Sequence, residues 1–373
     1  MNKIIIKIAK NDKEFVGLKI ERNVITVTFP IGYRIEEKIV ETPMNDNNTI
    51  LDIKILMKCL DLTNMDHFEE GVEKFSFSSA FYIIDYYLKY GLYKNRSKQS
   101  KLNKNGTINW KKTFNNTEPI YLRGNIIYKD IYTRTPIKEE NILTAIQKYC
   151  LAISTKIIGW IYGMDPIKTE KINLSTNEML YHLNKELYST NEDNKKKFIK
   201  EMIHLISGTN TIGILENNEV AIGRYYFDKV WEKLLKKELY LTFKEYNCLP
   251  NTYYVDSKNN IIMNKNLYPD MIIKEKDTII IIDAKYYQLN SLPPSSDICK
   301  QLFYSQFIRH RNRKNKIINL FLLPKDLKQE YEYYGYAASE QTKKDERIMT
   351  YYIDTKSVLK DNQAIKDLIN ELL

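Results

Sequence analysis

Two short stretches of this chain bring together residue types suited to one kind of chemistry. The first is Tyr268-Pro269-Asp270, and soon after it comes Ile282-Asp283-Ala284-Lys285. Between them they supply two carboxylates and an ammonium. Paired carboxylates suit Mg²⁺, a hard cation that prefers oxygen ligands and keeps several waters, with Mn²⁺ able to take its place. Such an ion polarises a phosphoryl oxygen and acidifies a water. The Lys285 ammonium can then orient that water or neutralise charge that develops on the phosphate. The chemistry expected of Asp270, Asp283 and Lys285 is therefore metal-assisted hydrolysis of a phosphate ester. The plain alternative makes Asp270 a strand-edge turn residue and Asp283–Lys285 a surface pair.

The flanking sequence says how these groups are positioned. Asp270 opens the apolar segment Met271-Ile272-Ile273, followed by the polar turn Lys274-Glu275-Lys276-Asp277. Thr278-Ile279-Ile280-Ile281-Ile282 is a β-branched run typical of a strand buried on both faces. Two strands joined by so short a polar turn predict an antiparallel hairpin, which sets Asp270 opposite Asp283. Side chains alternate along a strand, so Asp283 and Lys285 share a face. Upstream, Phe227, Val230, Trp231, Leu234 and Leu235 recur at helical spacing, with Asp228 near the helix start and Glu232 beside the apolar stripe. Downstream, Asp297 follows two prolines and two serines and is expected to cap a helix from Ile298 to about Ile308. Gln301 and Tyr304 share one face of that helix. Ile317 to Leu323 is the next strand, expected to stop at Pro324. The order is helix, strand, strand, helix, strand.

With these residues in view, the Pro269-Asp270 and Asp283-Ala284-Lys285 pair resembles the PD-(D/E)XK nuclease superfamily. The longer run Asp283-Ala284-Lys285-Tyr286-Tyr287, then Asp297-Ile298-Cys299-Lys300-Gln301-Leu302-Phe303-Tyr304, is more specific. Taken with Val230-Trp231-Glu232, it resembles the LlaJI family of restriction endonucleases, related to McrC. Weaker echoes lie at Val24 to Tyr33, Gly106 to Trp110 and Ile158-Gly159-Trp160. The resemblance implies Mg²⁺-dependent cleavage of duplex DNA in defence against foreign DNA. It implies Glu232 as a further metal ligand, although a solvated helix residue is the plain alternative. It also implies that Gln301 and Tyr304 approach the scissile strand. An McrB-like GTPase is the implied partner. The stretch from Gly208 to Gly213 has the glycine spacing of a phosphate loop, but Ile214-Leu215 stand where Lys and Ser/Thr are required, so any nucleotide site belongs to another chain. Two alternatives stay open: a stand-alone type II restriction endonuclease, and a mainly non-catalytic subunit that activates an NTPase.

Charge supports a polyanionic partner. The chain has 373 residues and a net charge of +10. Lys94, Arg96, Lys98, Lys101, Lys104, Lys111 and Lys112 form a run without an acidic residue, read as a mobile basic loop over 94–112. Arg309, His310, Arg311, Arg313, Lys314 and Lys316 form a second cluster next to the Gln301/Tyr304 helix, expected to adjoin the site. Phosphate contact is the functional reading of both, and a solvated face is the plain one. Cys59, Cys150, Cys248 and Cys299 are far apart with no CxxC, which fits a reducing cytoplasm and excludes a zinc or disulfide framework. The four histidines have no ligand spacing. No signal peptide and no membrane span are expected.

The expected class is α/β with three regions. Residues 1–75 are β-rich and a candidate partner or DNA surface. Residues 76–215 are mainly helical and carry the basic loop. Residues 216–373 form a PD-(D/E)XK nuclease domain, a mixed sheet flanked by helices.

Overall fold

The computed structural model describes residues 3–22, 24–41, 44, 46–61, 74–93, 98–136, 142–168, 172–208, 214, 219–246, 249, 251–266, 268–288, 291–361 and 363–373. The architecture is mixed α/β, and it divides into two compact units. One comprises Met1–Ser78, Trp160–Met164 and Gly208–Leu373; the other comprises Ser79–Gly159 and Asp165–Ser207. The sequence division at 75 and 215 differs from this grouping, because the amino-terminal strands join the carboxy-terminal region in one unit. Among the described residues no helix is long and apolar enough to cross a membrane.

The first unit begins with strands β1 (Lys3–Ile8), β2 (Val16–Glu21), β3 (Val24–Phe29) and β4 (Lys38–Glu41), followed by a helix over Asn47–Asp61. The alternation at Ile25, Val27 and Phe29 becomes a buried face, with all three at most 2% exposed. The chain after β3 then docks on elements much later in sequence. The Ile31 N–H donates to the Tyr286 hydroxyl at 2.8 Å, and Thr355 Oγ1 donates to the Ile31 carbonyl at 3.1 Å. Gly32 has φ of +70°, and a Cβ there would stand 2.8 Å from the Lys325 Cα, so only glycine fits both the turn and the close approach.

The second unit holds helices over Ile142–Ile158, Thr176–Ser189 and Asp193–Gly208, together with β5 (Lys98–Leu102), β6 (Thr107–Ile108), a short helix Trp110–Asn116, β7 (Pro119–Leu122), β8 (Asn125–Tyr128) and β9 (Tyr132–Pro136). The strands pair as β5-β9-β6 and β7-β8. The expected mobile basic loop is thus largely ordered structure. Lys98 and Lys101 are on β5, Lys104 is in the turn after it, and Lys111 and Lys112 are on the short helix. Lys94 and Arg96 lie outside the described residues. The rejected phosphate-loop stretch does too, apart from Gly208 and Ile214.

The first unit resumes with β10 (Glu219–Arg224), which pairs with β2 and completes the sheet β10-β2-β3-β1-β4. A helix over Asp228–Thr242 follows, then the ribbon β11 (Asn251–Val255) and β12 (Ile261–Asn266), and then β13 (Met271–Glu275) and β14 (Thr278–Ala284). A helix over Ser295–Arg311 leads to β15 (Lys316–Lys325), β16 (Tyr331–Ala337) and β17 (Ile348–Asp354), and short helices end the chain at Thr355–Lys360 and Gln363–Leu372. These later strands form a mixed sheet in the order β13-β14-β15-β17-β16. β13 is antiparallel to β14, and β14, β15 and β17 are mutually parallel. Pro324 does not stop β15, which continues to Lys325 opposite Asp354. Ile279, Ile280, Ile281 and Ile282 are each 0% exposed, as a central strand covered on both faces requires. Ile279 and Ile281 pack with Ile272, Tyr304, Ile308 and Ile317, which seats the Ser295–Arg311 helix on one face of the hairpin.

Candidate active site

The hairpin register decides the site. Met271 pairs with Ile282, so Asp270 and Asp283 flank the last ladder pair at the open end. Asp270 Oδ2 accepts the Ala284 N–H at 2.7 Å, which fixes this carboxylate against the neighbouring strand. The charge of Asp283 reaches the Asp270 carboxyl across the end of the hairpin. Lys285 Nζ lies 2.8 Å from Asp283 Oδ2, and the Lys285 N–H donates to the Leu322 carbonyl of β15 at 2.9 Å. The structure therefore brings Asp270, Asp283 and Lys285 together at the end of one buried hairpin. Burial, and then the charges of Asp283 and Glu232, push the Asp270 carboxyl well above the usual carboxylate range. Burial works against the Lys285 charge, but Asp283, Asp297 and Asp270 together raise its pKa.

The neighbouring elements hold this cluster in place. Phe227, which caps the Asp228–Thr242 helix, and Trp231 within it have ring centroids 5.5 and 6.4 Å from that of Tyr286, which anchors the helix beside the site. Glu232 on the same helix is half-buried. Burial raises its carboxyl, and Asp228 and then Asp283 raise it further, so it feels the site's charge. Gln301 and Tyr304 are buried, at 0% and 6% exposure. Gln301 Nε2 donates to the Ile281 carbonyl at 3.1 Å, and the Tyr304 hydroxyl donates to the Tyr268 carbonyl at 3.3 Å. In this arrangement both tie their helix to the strands that carry Asp270 and Asp283. Helix packing turns both side chains towards the strands that carry the carboxylates.

Asp297 is the residue that sequence placed elsewhere. It is not the cap of its helix; Pro294 holds that position, and Asp297 lies in the first turn. Its Oδ2 stands 3.3 Å from Lys285 Nζ and accepts a short hydrogen bond from the Tyr287 hydroxyl. Burial works against its charge, but Tyr287 and Lys285 together hold its carboxyl below the usual range. A signal for Tyr287 was available: continuing the strand alternation through 283, 285 and 287 puts it on the same face as Asp283 and Lys285. Nothing local announces Asp297.

The second basic cluster lies at the opposite end of the sheet. Lys316 starts β15 beside Thr278, and its N–H donates to the Asp277 carbonyl at 2.8 Å, whereas Asp283 pairs with Phe321. Five residues at about 3.3 Å each set some 16 Å between the two ends. Adjacent in sequence to the Gln301/Tyr304 helix, the cluster does not adjoin the carboxylates, because the helix carries the chain away from them along the strands. Arg309 is ion-paired with Glu346 at 3.7 Å, while Arg311, Arg313 and Lys314 are exposed. Lys101 and Lys104 are exposed in the second unit.

The residues present fit a divalent cation as an oxygen-bound ion. Asp270 and Asp283 stand side by side at the end of adjacent strands, and burial with the neighbouring charge raises the Asp270 carboxyl, a strain that an oxygen-bound cation would relieve. Mg²⁺ commonly takes one or two carboxylates and keeps its remaining waters. A three-ligand set is not formed: among the described residues no three His, Cys, Asp or Glu side chains stand close enough to surround one ion. Glu232 and the pair feel one another's charge: Asp283 raises the Glu232 carboxyl, and Glu232 raises that of Asp270.

Comparison with known proteins shows the family of the chain. A "Type II restriction enzyme BsuMI component YdjA" from Bacillus subtilis (strain 168) is 27% identical over 256 residues, covering 63% of this chain and 55% of that protein. The aligned part of this chain thus spans about half the length of that relative. A solved assembly of Thermococcus gammatolerans McrB AAA+ hexamers with bound McrC contains a chain similar to this one at a TM-score of 0.44 and 12% identity, covering 96% of this chain and 83% of that one. That score is too low to carry an argument. Residues 15–356 match the LlaJI restriction endonuclease family, and over that extent the chain belongs to it.

Proposed function

We propose that this chain is the metal-dependent nuclease of a restriction system, hydrolysing phosphodiester bonds in duplex DNA, with a PD-(D/E)XK core formed by β13 to β17 and its helices. The observation that carries the reading is the convergence of Asp270, Asp283 and Lys285 at the end of a buried hairpin in a member of this family. Asp270 and Asp283 would hold Mg²⁺ or Mn²⁺. A cation there supplies polarisation of a phosphate oxygen and a lowered pKa for the attacking water. Ala284 fixes the Asp270 carboxylate through its N–H, and Asp283 positions the Lys285 ammonium. Lys285 orients the water or neutralises charge on the phosphate as the ester bond breaks. Glu232, whose carboxyl feels the charge of Asp283, would support the pair either as a further ligand or from behind the ligands.

The test is cleavage of duplex DNA by the purified chain in Mg²⁺, together with its nucleotide-hydrolysing partner. EDTA is expected to stop the reaction, and Asp283→Ala is expected to abolish it while leaving the fold and DNA association intact. Cleavage by Asp283→Ala at the parental rate defeats the assignment.

We further propose that cleavage needs a nucleotide-hydrolysing partner, as in an McrB-like system. The description of the relative YdjA as a component supports a multi-chain enzyme, and this chain's own glycine-spaced stretch lacks the Lys and Ser/Thr of a nucleotide site. The chain is assayed with Mg²⁺ on unmodified and methylated DNA without nucleotide or partner. Robust site-specific cutting under these conditions replaces the partner reading with that of a stand-alone type II enzyme.

A further inference from the structure

Lys285 is held between two carboxylates, not one. Its Nζ is 2.8 Å from Asp283 Oδ2 and 3.3 Å from Asp297 Oδ2. Asp283 belongs to the proposed metal pair. Asp297 does not: it comes from the Ser295–Arg311 helix, where a carboxylate in the first turn is favoured by the helix dipole. The Tyr287 hydroxyl donates to the same Asp297 oxygen that faces Lys285, and Lys300 Nζ stands 3.9 Å from the other oxygen. Asp297 is 9% exposed, so its position is set by these partners and not by solvent.

A metal pair has a difficulty that this arrangement resolves. A cation on Asp283 and an ammonium on Asp283 repel one another at close range, and burial strengthens the repulsion. With only Asp283 as its partner, Lys285 competes with the metal. A second anionic seat lets the ammonium stay near the reacting phosphate while it gives up Asp283.

We propose that Asp297, held by Tyr287, is a positioning residue that takes over the Lys285 ammonium when Asp283 carries the metal. This deepens the proposed function and rests on its metal pair. Asp297 itself touches neither metal nor substrate in this account, and its whole effect runs through Lys285.

That last point supplies the test, which measures Ca²⁺ binding to the full chain by titration calorimetry and so does not depend on cleavage. Asp297→Asn is expected to weaken Ca²⁺ binding by about 10-fold, at the low end of the effect of removing an outer-shell partner. Tyr287→Phe shifts it the same way by less. In a Lys285→Ala background, adding Asp297→Asn changes Ca²⁺ affinity no further, because the competing ammonium is gone. Equal weakening by Asp297→Asn with and without Lys285 overturns the proposal, since the effect then bypasses Lys285. So does an unchanged affinity in Asp297→Asn while Asp283→Ala loses binding, and in that case the metal pair itself stands. If the parent binds no Ca²⁺ and no Mn²⁺, the metal pair and the inference fall together. Melting curves of all five variants show whether any has lost its fold, and the Lys285→Ala comparison is made between proteins of equal melting temperature.

Discussion

Two hairpins in this molecule begin from similar sequence and meet different fates. β13–β14 is built from Met271-Ile272-Ile273 and a four-isoleucine run, all between 0% and 5% exposed. β7–β8 is also rich in large apolar residues, yet Ile120, Tyr121, Leu122, Ile126 and Ile127 are between 46% and 74% exposed. Its turn, with Arg123 and Gly124 at φ of +48° and +83°, is the tight left-handed kind that matches strand twist. Both hairpins are well formed. The difference lies in what covers them: β14 pairs with β15 as well as β13 and has a helix packed on its surface, whereas among the described residues β7 and β8 pair only with each other. An apolar β-branched run marks a strand, but burial comes from the partners it finds. Burial in turn makes the open end of β13–β14 a chemical site, since two carboxylates and an ammonium interact far more strongly there than in water.

Several outcomes would break or sharpen this contrast. The largest expected effect is on chemistry. Lys285→Ala should lower the cleavage rate by about 10²- to 10³-fold, as loss of one group that stabilises transition-state charge does. A rate within a few fold of the parent would show that the buried hairpin's ammonium has no part in the reaction.

The next contrast is in stability. Ile281→Ala should cost about 2–5 kcal/mol, because it leaves a cavity under the Tyr304 helix. Ile126→Ala, on the exposed hairpin, should stay within about 0.5 kcal/mol. Denaturant unfolding of the two variants measures both, and equal costs would mean that β7–β8 is covered in solution.

A smaller effect separates two supporting residues. Glu232→Gln should reduce cleavage by about 10- to 100-fold with an unchanged melting temperature. Gln301→Ala should reduce cleavage and also stability by about 1–3 kcal/mol, because it strips the Ile281 carbonyl of its buried donor. If Glu232→Gln also unfolds the chain, its place is in the packing and not in the site's electrostatics.

The smallest effect concerns the far end of the sheet. Charge reversal at Arg311, Arg313 and Lys314 should weaken DNA binding and flatten its salt dependence by roughly one unit of slope per lost phosphate contact. Sequence preference should not change. An unchanged slope would leave this cluster a solvated face at the end of the sheet where β15 begins.

The hairpin, its register and the meeting of Asp270, Asp283 and Lys285 were legible in the sequence. They depend on strand alternation and a short turn, which are local rules with few solutions. The helices beside them were legible for the same reason, from the spacing of Trp231 and Leu235 and of Gln301 and Tyr304. What the tertiary structure alone decided was each contact made across long separations. It placed Ile31 and Gly32 against Tyr286, Thr355 and Lys325, joining the two ends of the chain in one unit. It turned Gln301 and Tyr304 inward, carried the Arg311–Lys314 cluster away from the site, and moved Asp297 from an expected helix cap to a second partner for Lys285. Periodicity says which face of an element a residue occupies. Which element meets that face depends on how much apolar surface the whole chain can bury at once, and that is settled only when the elements pack.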